Sequence, residues 1–126
     1  MKHPAISGAE WQVLQAVWER HPSTAGEIVR RLEGKTEWRP RTIKTLLNRL
    51  VSKGAVSCEK DGARYLYSPR VRREECVREE SRSFLERVFG GAAAPALVHF
   101  VEQAELSRAE IDQLKAILER KKGRRK

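Results

Sequence analysis

Apolar residues recur along this chain with two different periods, and the switches between them mark out its elements. SGAE, from Ser7 to Glu10, reads as a capping box. The stripe Trp11, Leu14 and Trp18, with Val13 and Val17 beside it, continues that start as a helix ended by His21-Pro22. A second capping box, TAGE from Thr24 to Glu27, opens a short helix that turns Ile28, Val29 and Leu32 inward and closes at Gly34. Pro40 suits a first helical position and Gly54 supplies a stop. Between them Ile43, Leu46, Leu47 and Leu50 fall at i, i+3, i+4 and i+7, one narrow core-facing stripe. The period then changes to two. AVSCEK and ARYLYS flank Asp61-Gly62, the dipeptide of a type I′ hairpin, and alternation places Tyr65 and Tyr67 on one face. Ser68-Pro69 ends the ribbon.

From Val71 the helical period returns. RREECVREESRSFLERVFGG predicts a long helix with Val77, Phe84, Leu85 and Val88 inward, stopped at Gly90-Gly91. Pro95 begins a short apolar helix, PALVHFVEQ. A third capping box, SRAE from Ser107 to Glu110, opens a last helix with Ile111, Leu114, Ile117 and Leu118 on one face. The expected architecture is mostly α with a small β-hairpin wing. A winged helix-turn-helix domain spans residues 1–70, a three-helix dimerisation region 71–122, and a basic tail 123–126. The three later helices make a thin core by themselves, which is why a second copy is expected to cover them.

Charge sharpens this picture. The chain carries 26 Lys plus Arg against 17 Asp plus Glu, net +9, which favours a polyanionic partner. Residues 1–70 hold 13 basic and 7 acidic side chains, residues 71–119 hold 7 and 10, and the end of the chain supplies six more cations. No Asp or Glu lies between Trp38 and Cys58, although acids are spread elsewhere. On the third helix the face opposite the apolar stripe carries Arg41, Thr45, Asn48 and Ser52, flanked by Lys44 and Arg49, with Thr42 at the exposed start. A helix that enters a DNA groove cannot carry carboxylates toward phosphate, whereas Arg and Lys release counterions there. Short Thr and Asn side chains allow close approach and reach phosphate, adenine edges or thymine methyls. Arg41, Thr42, Lys44 and Thr45 are the leading groove contacts, Asn48 follows, and Arg49 is assigned to phosphate. Lys60 and Arg64 at the wing tip are candidates for the flanking backbone or the minor groove. A solvated basic face, or a winged helix used as a protein-interaction module, is the competing reading. It is weighed against the agreement of three features: the missing acids, the preceding helix and turn, and the hairpin after it.

Other reactive residue types suggest no chemistry. Cys58 and Cys76 lie apart without a nearby partner, read as packing residues, and fit a reducing, cytoplasmic compartment. His3 is terminal, His21 follows a helix end and His99 sits in an apolar helix, so no metal site or cofactor is expected. The three tryptophans read as core anchors, Trp38 with the option of lying near a DNA backbone. No stretch has signal-peptide or membrane-spanning length, so no membrane insertion is expected. No Ser-His-Asp or paired-carboxylate arrangement points to an enzyme.

ISGAEWQVLQAVW, WRPRTIKTLLNRLVSKGAV, YLYSP and LVHFVEQAELSRAEIDQLKAIL together resemble the BlaI/MecI family of penicillinase repressors, a relative of the copper-responsive CopY branch. The resemblance covers nearly the whole chain, and its W-x-P-[KR]-T-I-[KR]-T-L-L-x-R-L motif is specific. It implies a homodimeric repressor that binds a dyad-symmetric operator of double-stranded DNA. Arg41, Thr42, Lys44 and Thr45 match the family's base- and phosphate-contacting positions. It also implies genes of the β-lactam-resistance type, relieved through a sensor-protease by a cut in the dimerisation region, or a family member that answers another signal. The family cut is at an Asn-Phe bond, and the matching pair here is His99-Phe100. The CopY cysteine cluster has no counterpart, since no cysteine follows Cys76. Where the family often has Ser before the helix proline, this chain has Arg39, which forgoes a cap bond worth about 1 kcal/mol and sets a guanidinium near phosphate.

Overall fold

The computed structural model describes residues 5–124; His3 and the last two residues of the expected basic tail lie outside the described residues. Its elements are α1 (Gly8–Glu19), α2 (Ala25–Leu32), α3 (Pro40–Ser52), β1 (Val56–Asp61), β2 (Arg64–Pro69), α4 (Arg73–Phe89), α5 (Ala93–Gln103) and α6 (Arg108–Arg124). Two compact units divide the chain, residues 1–81 and 82–126, and the division falls inside α4.

In the first unit the local signals are realised atom by atom. Ser7 Oγ accepts from the Glu10 N–H at 3.1 Å and the Glu10 carboxylate accepts from the Ser7 N–H at 2.9 Å. Thr24 and Glu27 repeat the arrangement at 3.2 and 2.8 Å. Helix α3 starts at Pro40 and ends in a Schellman motif: Ala55 N–H donates to Leu50 C=O at 2.9 Å and Gly54 N–H to Val51 C=O at 3.0 Å. Gly54 sits there at φ 83°, a conformation that a side chain would strain. The apolar stripes meet in one core. Val13, Leu14 and Val17 of α1, Ile28 of α2, Leu47 and Leu50 of α3, and Val56 of β1 are all fully buried.

The hairpin differs from expectation by one position. Asp61 pairs with Arg64, so Gly62 and Ala63 are the central loop residues, not Asp61 and Gly62. Positive φ is confined to Gly62, at 66°, the arrangement of a II′ turn with glycine first. The Cβ of Ala63 disfavours the left-handed conformation that a I′ turn would demand of it. The ribbon also gains a third partner that no local pattern announces. Ser23, in the α1–α2 connection, exchanges backbone bonds with Tyr67 at 3.0 and 2.7 Å, pinning the wing to the helices. Tyr67 is half-buried against the core while Tyr65, on the same strand face, is exposed.

Two cations of this unit are consumed internally. Arg31 Nη1 donates to the Ala16 and Arg20 carbonyls at 2.8 and 3.2 Å, and Nη2 donates to Ser23 Oγ at 2.6 Å. It thereby satisfies carbonyls at the C-terminal end of α1, where a positive charge is also favoured by the helix dipole. Lys53, just past α3, donates to Glu10 Oε1 at 2.5 Å and to the Ala5 carbonyl at 2.8 Å. Glu10 therefore caps its own helix and ties α1 to the end of α3. Burial pushes the Glu10 carboxyl up, but the Lys53 and Ser7 hydrogen bonds and the Lys53 charge outweigh it and hold the group below its ordinary value of 4.5.

The second unit contains the end of α4, then α5 and α6. Its local signals hold: Gly90 and Gly91 stop α4 at φ 61° and 86°, and Ser107 and Glu110 form the expected capping box at 3.1 and 2.8 Å. Helix α5 begins at Ala93, so Pro95 lies within its first turn, where the missing N–H has no intrahelical partner to lose. Helix α6 continues to Arg124, into the segment expected to be a tail. Burial departs more. Of the α4 residues expected inward, Phe84 and Leu85 are half-buried, while Val77 and Val88 are exposed. In the first unit's part of α4, Cys76 occupies the inward position that Val77 was expected to take. Phe84, Phe89 and Phe100 cluster with centroids 5.9 to 6.4 Å apart. Leu97, Val98 and Val101 of α5, and Ile111, Leu114, Ile117 and Leu118 of α6, remain exposed in the single chain. The α6 stripe is at helical spacing as expected, but among the described residues none of its four members is buried. Among the described residues no single helix is long and apolar enough to cross a membrane.

The Lys53–Glu10 pair yields a directional expectation. Glu10 is 2% exposed, whereas the Lys53 side chain is 35% exposed and can hydrate if freed. Lys53→Met leaves a buried carboxylate without its cation and is expected to cost on the order of 1–3 kcal/mol. Glu10→Gln keeps an acceptor for the Ser7 N–H and is expected to cost less. Because the folded Glu10 value lies below the unfolded one, its contribution is full above 4.5 and fades as pH falls through the folded value. Denaturant titrations at neutral and acid pH check both points, and equal losses for the two variants at pH 7 would contradict the ranking.

Candidate nucleic-acid interface

Helix α3 is held by one face and bare on the other. Ile43, Leu46, Leu47 and Leu50 are buried in the core, while Arg41, Thr42, Lys44, Thr45, Asn48 and Arg49 are all exposed. The structure therefore places all six expected groove residues on the solvent side of one helix. Arg41, Lys44 and Arg49 form no ion pair among the described residues, in contrast to Lys53 at the end of the same helix. Proximity along the chain explains part of this. No carboxylate lies between Glu37 and Glu59, and Glu37, four residues before Arg41, precedes the helix start at Pro40, so no acid on α3 itself is available to neutralise them.

The start of α3 is unusual in its chemistry. Arg39 occupies the N-cap with extended backbone, φ −77° and ψ 157°, and makes no side-chain cap bond. Its carbonyl accepts the first helical bond from Ile43 N–H at 3.2 Å. The next N–H groups of that first turn have no intrahelical acceptor, and Pro40 has none to offer, so this end keeps its positive partial charge. No acid sits in the first turn. Trp38, directly before it, is half-buried and packs on the core, which fits the anchoring reading.

At the wing, Lys60 is exposed opposite Tyr65 and Arg64 is exposed opposite Asp61. Arg64 Nη2 lies 3.4 Å from Asp61 Oδ2, but both side chains are about 60% exposed (63% and 59%), and a pair so hydrated is easily exchanged for another anion. Hairpin register thus brings the two expected wing residues to the tip together. His99 and Phe100 lie in α5 of the second unit, both exposed, with ring centroids 5.7 Å apart and His99 6.3 Å from Phe89.

The cysteines separate. Cys76 is fully buried, as a packing residue should be, and burial followed by the Glu75 and Glu80 charges pushes its thiol up, away from reactivity. Cys58 is exposed on β1 opposite Tyr67, so it is not the packing residue that its strand position suggested; it shares the sheet face of Val56 and Tyr67 but lies further toward the wing tip, beyond the core. Burial, and then the Cys58 thiol beside it, push the Tyr67 phenol up. No group of three or more metal-ligating side chains occurs among the described residues.

The internal roles of Arg31 and Lys53 were invisible to sequence reasoning, which counts every cation of the basic half as available. Their acceptors are main-chain carbonyls, the Ser23 hydroxyl and one carboxylate 43 residues away, and only tertiary packing brings these together. Arg39, by contrast, carried its own signal in the missing cap residue.

The profile of the family described as penicillinase repressor matches residues 6–120. The chain is 35% identical over 125 residues to a penicillinase repressor of Bacillus licheniformis, covering 99% of this chain and 98% of that protein. It is 33% identical over 116 residues to the methicillin resistance regulatory protein MecI of Staphylococcus aureus (strain N315), covering 92% and 94%. Among solved structures, the DNA-binding domain of the repressor BlaI superposes with a TM-score of 0.53 at 34% identity, over 59% of this chain and 90% of that one. The monomeric form of Bacillus licheniformis BlaI in complex with the blaP half-operator superposes with a TM-score of 0.52, at the same identity and coverage.

The uncapped start of α3 can be tested without any ligand. Arg39→Ser supplies a side-chain acceptor for the free N–H groups and is expected to stabilise the chain by about 1 kcal/mol. Thermal unfolding of the two proteins reads this directly; an unchanged midpoint would mean that solvent already satisfies that helix end equally well.

Proposed function

The chain belongs to the penicillinase repressor family, and we propose that it is a DNA-binding transcriptional repressor that lays α3 in the major groove of double-stranded DNA. The observation that carries this reading is the solvent face of α3, where three cations without an ion pair among the described residues and three short polar side chains stand on a carboxylate-free stretch. Arg41, Thr42, Lys44 and Thr45 lie in the first two turns and take the base-reading and nearest phosphate roles, because the N-terminal part of a recognition helix reaches deepest. Asn48 follows on the same face, and Arg49 reaches a phosphate at the groove edge. Lys60 and Arg64 touch the flanking backbone from the wing tip, with Arg64 exchanging Asp61 for phosphate. Arg39 and the free N–H groups beside it suit a further phosphate.

The active species in this reading is a homodimer on a dyad-symmetric operator. The exposed apolar residues of α5 and α6 support it, since a face of this kind is normally covered by a partner. Two-fold symmetry then sets the half-site spacing. Each wing bound alone lacks the effective-concentration gain of the linked pair, so loss of the dimer releases the operator. A cut at His99–Phe100 by a sensor-protease is one route to that loss. The bond lies within α5, so a protease must first unwind that helix. Histidine where the family cut has asparagine favours a signal other than the β-lactam one, and with it target genes beyond β-lactam resistance. The repressor works in the cytoplasm and needs no cofactor.

A gel-shift titration at several salt concentrations tests the central claim. Affinity for duplex DNA is expected to fall steeply with salt, as counterion release requires, and a flat response would remove nucleic acid as the partner in favour of a protein. Arg41→Ala and Thr45→Ala are expected to lower discrimination between operator and unrelated duplex by roughly 1–3 kcal/mol where a good base contact is lost. Truncation after Gly90 is expected to leave a folded monomer that binds the operator weakly. A truncated chain that still sediments as a dimer would put the interface outside α5 and α6.

A further inference from the structure

A cleft of about 420 Å³ opens at the base of the wing, lined by Trp18 and His21 near the end of α1, by Arg70, Val71 and Arg72 after β2, and by Arg73 at the start of α4. A second groove of about 360 Å³ adjoins it on the other side of Trp18 and Arg73. Both lie wholly within the first compact unit. From this cleft we infer that the protein binds a small organic anion, a carboxylate or phosphate carried on an aromatic or aliphatic body.

The walls divide the labour between the two parts of such a ligand. The Trp18 indole N–H already donates to the Val71 carbonyl at 3.0 Å, so the ring is fixed and polar ligand groups gain nothing from its N–H. Its half-exposed surface, with the Val71 side chain, is left for apolar contact. The Arg70, Arg72 and Arg73 side chains have no ion-pair or hydrogen-bond partner among the described residues; Glu74 lines the cleft and Glu19 the adjoining groove, so within the cleft itself three guanidiniums face one carboxylate. The first bond of α4 runs from Cys76 N–H to Arg72 C=O at 3.0 Å, so the N–H groups of the first turn have no intrahelical acceptor, although Glu74 and Glu75 in that turn offset its positive end. The guanidiniums favour a carboxylate or phosphate in bidentate geometry.

A DNA phosphate is the competing anion, and position disfavours it. The six residues of β2 separate the cleft from the wing tip, a distance of about 17 Å at ordinary strand rise. A groove with an apolar wall of this size also suits a compact ligand better than a continuous backbone. The site matters for regulation because α4 is the element by which the chain leaves the first unit. A ligand that ties α1 to the start of α4 acts on that connection. The inference does not depend on the DNA reading.

The test uses full-length protein labelled with ¹⁵N, and 4-fluorobenzoate as the probe, followed at the three tryptophan indole N–H signals and by ¹⁹F NMR. The Trp18 signal is expected to move on titration, with 4-fluorobenzyl alcohol, the neutral analogue, binding on the order of tenfold more weakly. Arg72→Gln/Arg73→Gln is expected to lose a similar factor while the Trp11 and Trp38 signals stay in place; Arg70→Gln serves as an independent variant if the double one perturbs the fold. Equal binding of acid and alcohol, or a Trp18 signal that does not respond, overturns the site. So does a double variant that leaves 4-fluorobenzoate affinity unchanged but weakens binding to a DNA duplex with a shallower salt slope, which assigns these arginines to phosphate.

Discussion

A recognition helix has to be gripped on one side and empty on the other, and in this chain that double demand on α3 organises the whole first unit. Gripping is apolar: the stripe from Ile43 to Leu50 is buried among α1, α2 and β1, where each large side chain is worth roughly 1.5–3 kcal/mol of burial. Emptiness is electrostatic. A single glutamate on the exposed face would pair with Arg41, Lys44 or Arg49 and would itself be repelled from a phosphate-lined groove. Lys53 shows the difference, because it stands one residue past the same helix and is taken up by Glu10 and Ala5.

That uptake links the two ends of the argument. Glu10 closes the capping box of α1 and receives Lys53, so the residue that starts the first helix also fastens the end of the third. Arg31 does the corresponding service at the other end of α1, gathering the Ala16 and Arg20 carbonyls and Ser23. Ser23 in turn shares two backbone bonds with Tyr67 and holds the wing. Both arrangements convert cations of a basic domain from surface charge into structure. The field presented to a polyanion is therefore set by fewer residues than composition implies, with Arg41, Lys44 and Arg49 of α3 prominent among them.

The second unit follows a different logic. Its helices have sound ends, with a capping box at Ser107 and paired glycines after α4, yet much of its apolar surface is uncovered. Local signals of this kind guarantee a helix and say nothing about which neighbour covers it. The stripe of Ile111, Leu114, Ile117 and Leu118 is such a case, periodic along the helix yet more than a third exposed.

Much of this was legible along the chain. Three capping boxes, glycine stops and the i, i+3, i+4, i+7 stripe located the helices, because caps and periodicity are local properties of backbone hydrogen bonding and side-chain direction. The face of α3 was legible for the same reason, since 100° per residue fixes which side chains oppose the buried ones. The hairpin was readable in place but not in turn type, because choosing between Asp61-Gly62 and Gly62-Ala63 as the loop depends on strand register. The inward set of α4 was misread at Val77 and Val88, since a helix whose partner is unknown has no defined inside. Lys53 and Arg31, and the arginine-lined cleft beside Trp18, belong wholly to the tertiary structure. Their partners lie up to tens of residues away, and only packing decides whether a cation meets a carbonyl, a carboxylate or open solvent.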